Sequence, residues 1–164
     1  RDRVLILRNL FNYKKAAFSG IGFIAAIFIF GIALFITMEY YHIFTVKESV
    51  ETDISRALNI SVTMAVQDMD WVQHNSVMDT EKAQREFKTY LTEDMKLNND
   101  YEKYADDGSF QYQIIIDKSD IQKSPAKYSI DGRIRMQPVT VRSILPKTFD
   151  IPFKLSSNNI RTDD

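Results

Sequence analysis

Cysteine is absent from the 164 residues, which excludes a disulfide framework, a zinc ribbon and a thiol nucleophile. Histidine occurs only twice. His42 and His74 both fall on one expected helix, too far apart to share a metal. Glycine and proline are scarce, at five and four residues, and neither occurs between Ile32 and Asp107, so nothing there punctuates a helix. The G-x-S-x-G, Walker A and H-E-x-x-H patterns are missing, as is any internal repeat. Charge of either sign is also missing from Ala16 to Met38, so the flanks of those 23 residues hold all 43 charged side chains. Residues 1–38 carry five basic groups and one acid, a net of +4, and residues 39–164 carry 16 and 21, a net of −5. The larger part therefore lacks the basic excess of a nucleic-acid binder, and no nucleic-acid partner is expected.

As a helix, the charge-free run is about 34 Å long, enough for a hydrocarbon core of roughly 30 Å. It exceeds a signal-peptide apolar region and runs into Glu39-Tyr40-Tyr41 without a small-residue cleavage site, so a retained anchor in membrane lipid is expected. Arg1, Arg3, Arg8, Lys14 and Lys15 precede it and no basic residue follows until Lys47. That asymmetry predicts a cytoplasmic basic lead over residues 1–15, a span over 16–38 and an extracytoplasmic remainder. Val4–Leu7, Leu10 and Phe11 could give the lead a short interfacial helix. Tyr13, Tyr40 and Tyr41 flank the span as interfacial aromatics do. Within it, Ser19, Gly22, Ala26, Ala33 and Thr37 recur every three, four or seven residues, a stripe along which a second helix could approach closely. No ionisable group interrupts the span to suggest an ion path.

Beyond the span, Ile43, Val46, Val50, Ile54 and Ala57 continue a helical repeat. They predict an amphipathic helix over residues 39–74, reaching Trp71 or His74. Such a helix would add about 54 Å. A second helix is expected at Asp79–Lys96: Asp79 can cap it, Glu81 suits its positive end, and Ala83, Phe87, Leu91 and Met95 repeat at four. Phe110–Ile116 and Phe149–Leu155 read as strands. Asp131-Gly132 reads as a hairpin turn between Lys127–Ile130 and Arg133–Gln137, while Pro138, Pro146 and Pro152 mark strand ends or edges. The expected fold class is α+β: a transmembrane helix, a continuing amphipathic helix, and a head over residues 75–164 with one more helix and an antiparallel sheet.

Chemistry is thin. Asp68, Asp70 and His74 bring at most two ligands together on a helix. Asp94, Asp100, Glu102, Asp106 and Asp107 are acidic enough to attract calcium but lack EF-hand spacing. Ser124 between Lys123 and Lys127 is the least excluded nucleophile, in a segment with the composition of an exposed loop. Asn59-Ile60-Ser61 matches a glycosylation acceptor yet falls mid-helix. No catalytic residue, metal or cofactor is expected.

The basic lead, the glycine-containing span, Glu39-Tyr40 at its outer end and the continuation Val50–Val66 together resemble the pilin-like proteins of bacterial tight-adherence (Flp-type) pili. The segment is similar to TadE-type pseudopilins over about residues 14–68. The resemblance implies a non-enzymatic structural subunit that assembles with copies of itself or related subunits, through envelope assembly machinery, into a surface filament. Pilin-like precursors are cut after a glycine and carry glutamate at the fifth mature position. After Gly20 that position is Ala25, and the first glutamate near the span is Glu39. Assembly contacts would then come from the small-residue stripe, the outer helix and the head. The competing reading is a stationary single-span scaffold or sensor of an envelope secretion complex, followed by a membrane-tethered Ser–Lys hydrolase.

Overall fold

The computed structural model describes residues 2–66, 77–138 and 148–157, with helix side chains from residue 20 onward. The chain divides into two compact units, residues 1–42 and 43–164. Expectations for Asp68, Asp70, Trp71, His74, Pro146 and the last seven residues lie outside the described residues, as do the side chains of the basic lead and of Ser19.

Helix α1 runs Asp2–Ala65. Its hydroxyl residues return their donors to the preceding turn: Thr37 Oγ1 to the Ala33 carbonyl at 2.8 Å, Thr52 to Glu48 at 2.8 Å and Ser61 to Ala57 at 2.6 Å. Lys47 and Glu51 pair at 2.7 Å one turn apart. Ala65 is its last residue, and the expected continuation to Trp71 or His74 lies outside the described residues. No glycine or proline stops it. Val66 instead forms an antiparallel bridge with Met78, and the Asp79 amide donates to the Ala65 carbonyl at 3.0 Å. A tertiary bond takes over a carbonyl at the helix end that would otherwise lack a partner.

Helix α2 (Thr80–Thr89) starts where Asp79 accepts from the Glu81 and Lys82 amides at 3.0 Å each, and it passes into a π turn at Tyr90–Asp94. Ala83, Phe87, Leu91 and Met95, the stripe read at a spacing of four, are all buried. Four antiparallel strands follow in the order β1-β2-β3-β4: β1 Glu102–Tyr104, β2 Phe110–Gln122, β3 Lys127–Met136 and β4 Phe149–Ser156.

Asp131-Gly132 is not a turn. It lies inside β3, where Asp131 faces Lys118 and Lys154 and Gly132 faces Ile116 and Phe153. The hairpin closes instead at residues 123–126, between β2 and β3. β3 alternates through its whole length, with Tyr128, Ile130, Gly132, Ile134 and Met136 inward. This long apolar alternation outweighs a two-residue turn preference. A bulge between Ile116 and Lys118 resets β2 so that Ile114 and Ile121 both meet inward partners, Ile134 and Tyr128. Pro152 sits within β4, an edge strand, where a missing donor is tolerated.

One core holds the second unit together. Val50, Ile54, Ala57, Leu58, Val62 and Ala65 of α1 share it with Phe87 and Leu91, and with Ile114, Ile130, Ile134 and Phe153 of the sheet. Phe87 and Tyr128 meet with ring centroids 5.1 Å apart. Each fully buried Ile or Leu contributes about 1.5–3 kcal/mol relative to exposure.

Candidate functional site

The feature that sets this chain apart is the bare apolar part of α1. Ile21, Phe23, Ile24, Ile27, Phe28, Ile29, Phe30, Ile32, Leu34, Phe35, Ile36 and Met38 are each at least 41% exposed. Consecutive residues Ile27 to Phe30 point to successive sides of the helix, so no side is covered. A soluble monomer does not leave a patch of this size in water. This is one helix long and apolar enough to cross a membrane.

Within it Gly22, Ala26, Ala33 and Thr37 are exposed. A methyl built on Gly22 would meet no atom within 4 Å. The Thr37 hydroxyl donates to the Ala33 carbonyl, so its polar hydrogen is satisfied within the helix. The outer stripe behaves differently. Val50 is 2% exposed, and Ile54 and Ala57 are 0% exposed, while Ile43 and Val46 pack partly buried against the same core. The expectation that this stripe meets other subunits is corrected for Val50, Ile54 and Ala57, which are buried in the chain's own core.

The far face of the sheet is a mesh of ion pairs. Arg133 donates to both Asp117 carboxylate oxygens at 2.9 and 2.8 Å, and Arg135 does the same to Asp150 at 2.8 and 2.9 Å. Arg133 also reaches Asp150 at 3.4 Å, and Lys154 reaches Asp131 at 3.3 Å. Each arginine hydrogen bond holds its aspartate below the ordinary carboxylate range. Along β3, the alternation of Asp131, Arg133 and Arg135 with Ile130, Ile134 and Met136 carried this signal, which a hairpin at Asp131-Gly132 obscures. The mesh satisfies its own charges and marks a solvated face.

The remaining chemical candidates do not converge. Lys123, Ser124 and Lys127 are exposed around the β2–β3 turn, with no desolvated lysine beside the hydroxyl. Among the described residues, no three acidic or histidine side chains are gathered as metal ligands. Glu102 accepts from Asn98 at 3.0 Å and from the Tyr104 hydroxyl at 2.9 Å, which raises the Tyr104 pKa. Asp107 accepts from the Ser109 amide at 2.9 Å. Ser61 is buried and bonded to Ala57, so the acceptor motif at Asn59 lies within a packed helix. Burial, with a smaller effect of Asp53, pushes Tyr112 up to about 12. No protein-family model, curated protein or solved structure matches this chain.

Proposed function

We propose that this chain is a membrane-anchored, pilin-like structural subunit that assembles through the apolar part of α1 into a surface filament or pilus-related assembly. The observation that carries this reading is the contrast within one helix. From Ile21 to Met38 its large side chains are bare, while from Val50 to Ala65 the same helix supplies the centre of a folded head. The bare part requires either lipid or the helices of neighbouring subunits around it. The head needs neither, because its core is complete within the chain. The basic lead stays in the cytoplasm and the head stands outside, in keeping with the basic residues before the span.

In this reading the action is assembly rather than turnover. Ser19, Gly22, Ala26, Ala33 and Thr37 let a sister helix approach, and dispersion contacts between closely packed helices supply the association. Shear fractionation of cells making the native protein tests it, with electron microscopy and intact-mass analysis of the released material. Protein in sheared filaments is the expected result. Protein confined to the membrane pellet refutes filament assembly and assigns a stationary anchored component. Gly22→Leu and Ala26→Leu should abolish assembly by holding helices apart, whereas normal assembly of both variants would remove the small-residue face from the mechanism.

A further inference from the structure

The charge-free run ends at Met38, and His42 and Thr45 are exposed beyond it, yet one side of the helix stays aromatic further on. Tyr40 is 70% exposed, Tyr41 71% and Phe44 45%. Phe44 lies four residues beyond Tyr40 and three beyond Tyr41, so the three rings share one side of α1. Ile43 and Val46 lie on another side and pack against the head's core. One turn past Phe44 the exposed positions become Glu48, Ser49 and Thr52, and they stay polar to Arg56. The aromatic side therefore continues the bare apolar surface beyond its nominal end and stops abruptly at Glu48.

We propose that Tyr40, Tyr41 and Phe44 form a collar that binds the headgroup–acyl boundary of a lipid bilayer, seating the first turn of the head in the interfacial layer. The inference rests on the reading of α1 as a membrane span and adds where that span meets water. Lipid is the occupant favoured by continuity with the charge-free run and by chemistry. The run of 23 residues already fills about 30 Å of hydrocarbon, which leaves the next two turns at headgroup depth. Tyrosine is suited to that depth, since its ring prefers acyl chains and its hydroxyl prefers headgroups and water. Six residues separate Met38 from Phe44, a rise of about 9 Å.

The cysteine-free sequence permits a direct test on the full chain. Single variants Phe28→Cys, Phe44→Cys and Thr52→Cys are nitroxide-labelled and reconstituted in phosphatidylcholine–phosphatidylglycerol vesicles. Electron paramagnetic resonance then reads collisions with oxygen, which partitions into lipid, and with a water-soluble nickel chelate. The expected order places Phe28→Cys deep, with high oxygen and low nickel access, and Thr52→Cys in water. Phe44→Cys should fall between them, its nickel access several-fold below that of Thr52→Cys. Nickel access at Phe44→Cys equal to that at Thr52→Cys, with Phe28→Cys still deep, overturns the collar and leaves the span intact. Low access to both reagents at Phe44→Cys overturns lipid as occupant and assigns the collar to a protein contact. Nickel access at Phe28→Cys overturns the span and the collar together.

Discussion

Replacing Gly132 with alanine sets two opposed effects against each other at one position. In an unstrained site Gly→Ala stabilises by about 0.4–1 kcal/mol, because the unfolded chain loses freedom. At Gly132 the added methyl has no room. It would overlap the Ile115 carbonyl oxygen and lie 2.8 Å from Cζ and 3.1 Å from Cε1 of Phe153. Phe153 is only 6% exposed and can tilt little, and the carbonyl belongs to β2 next to its bulge. Overpacking of this kind costs about 1–3 kcal/mol. With backbone as the main obstacle the steric cost wins, for a net loss of about 1–2 kcal/mol. For a unit spanning residues 43–164, that lowers the melting temperature by about 4–8 °C. Circular dichroism of the full chain in mild detergent reads the change. Adding Phe153→Leu should recover little, since the carbonyl remains. Gly108→Ala is the contrasting case. Its φ of +78° makes alanine costly with nothing within 4 Å, and Gly108→Asn should recover part of the loss because asparagine tolerates that backbone. A melting temperature for Gly132→Ala equal to or above the parent would refute the packing argument.

Three further outcomes follow from the same structure. Ile54→Ala should destabilise the head by about 2–5 kcal/mol, because Ile54 is fully buried, while Ile27→Ala should leave its melting temperature unchanged. Equal effects in urea titrations would remove α1 from the core. Burial raises the Tyr112 pKa, so its contribution is fully present below pH 10.0 and is lost as pH rises towards about 12. Tyr112→Phe should delete the last step of the tyrosinate absorbance titration and flatten the alkaline loss of stability. The Lys82 and Glu81 amides lower the Asp79 pKa, so its capping contribution holds above 3.8 and fades as acid protonates it. Asp79→Ala should cost helical signal and a few degrees of melting temperature, and Asp79→Asn, which keeps an acceptor, should cost less.

Local signals carried most of the helices and the last strand. The Asp79 cap and the stripe at a spacing of four lie in adjacent residues, so the second helix was legible almost to its end, apart from its π turn. Phe149–Leu155 is one residue short of the observed β4. The misreadings arise where distant segments decide. Asp131-Gly132 has turn chemistry, but eight paired residues of β4 and ten of β2 hold it extended. β1 is three residues long and shows no alternation to read. The end of α1 depends on a bridge to Met78, twelve residues on from Val66, and nothing near Ala65 announces it. For the candidate site, the exposed apolar run was plain from composition. The fate of Val50, Ile54 and Ala57 was not, because an apolar stripe looks the same whether it meets its own sheet or another subunit.

That ambiguity locates the functional information in α1. An amphipathic stripe needs one covering surface, and a single sheet with one short helix provides it. A helix apolar on every side needs cover all round, which one small head does not give. The bare part of α1 from Ile21 to Met38 therefore calls for a lipid or protein environment, while the buried stripe from Val50 to Ala65 is covered within the chain. Lipid alone would cover Ile and Phe as readily as Gly and Ala, so it supplies no reason for small residues to align. Close approach of a second helix supplies one, because only small side chains let backbones come together. The aromatic collar argues in the other direction, since tyrosine has no special advantage buried between helices but gains at a lipid–water boundary. On the proposed reading the two features act at different heights on one helix, small residues for sister helices within the span and aromatics for lipid headgroups above it.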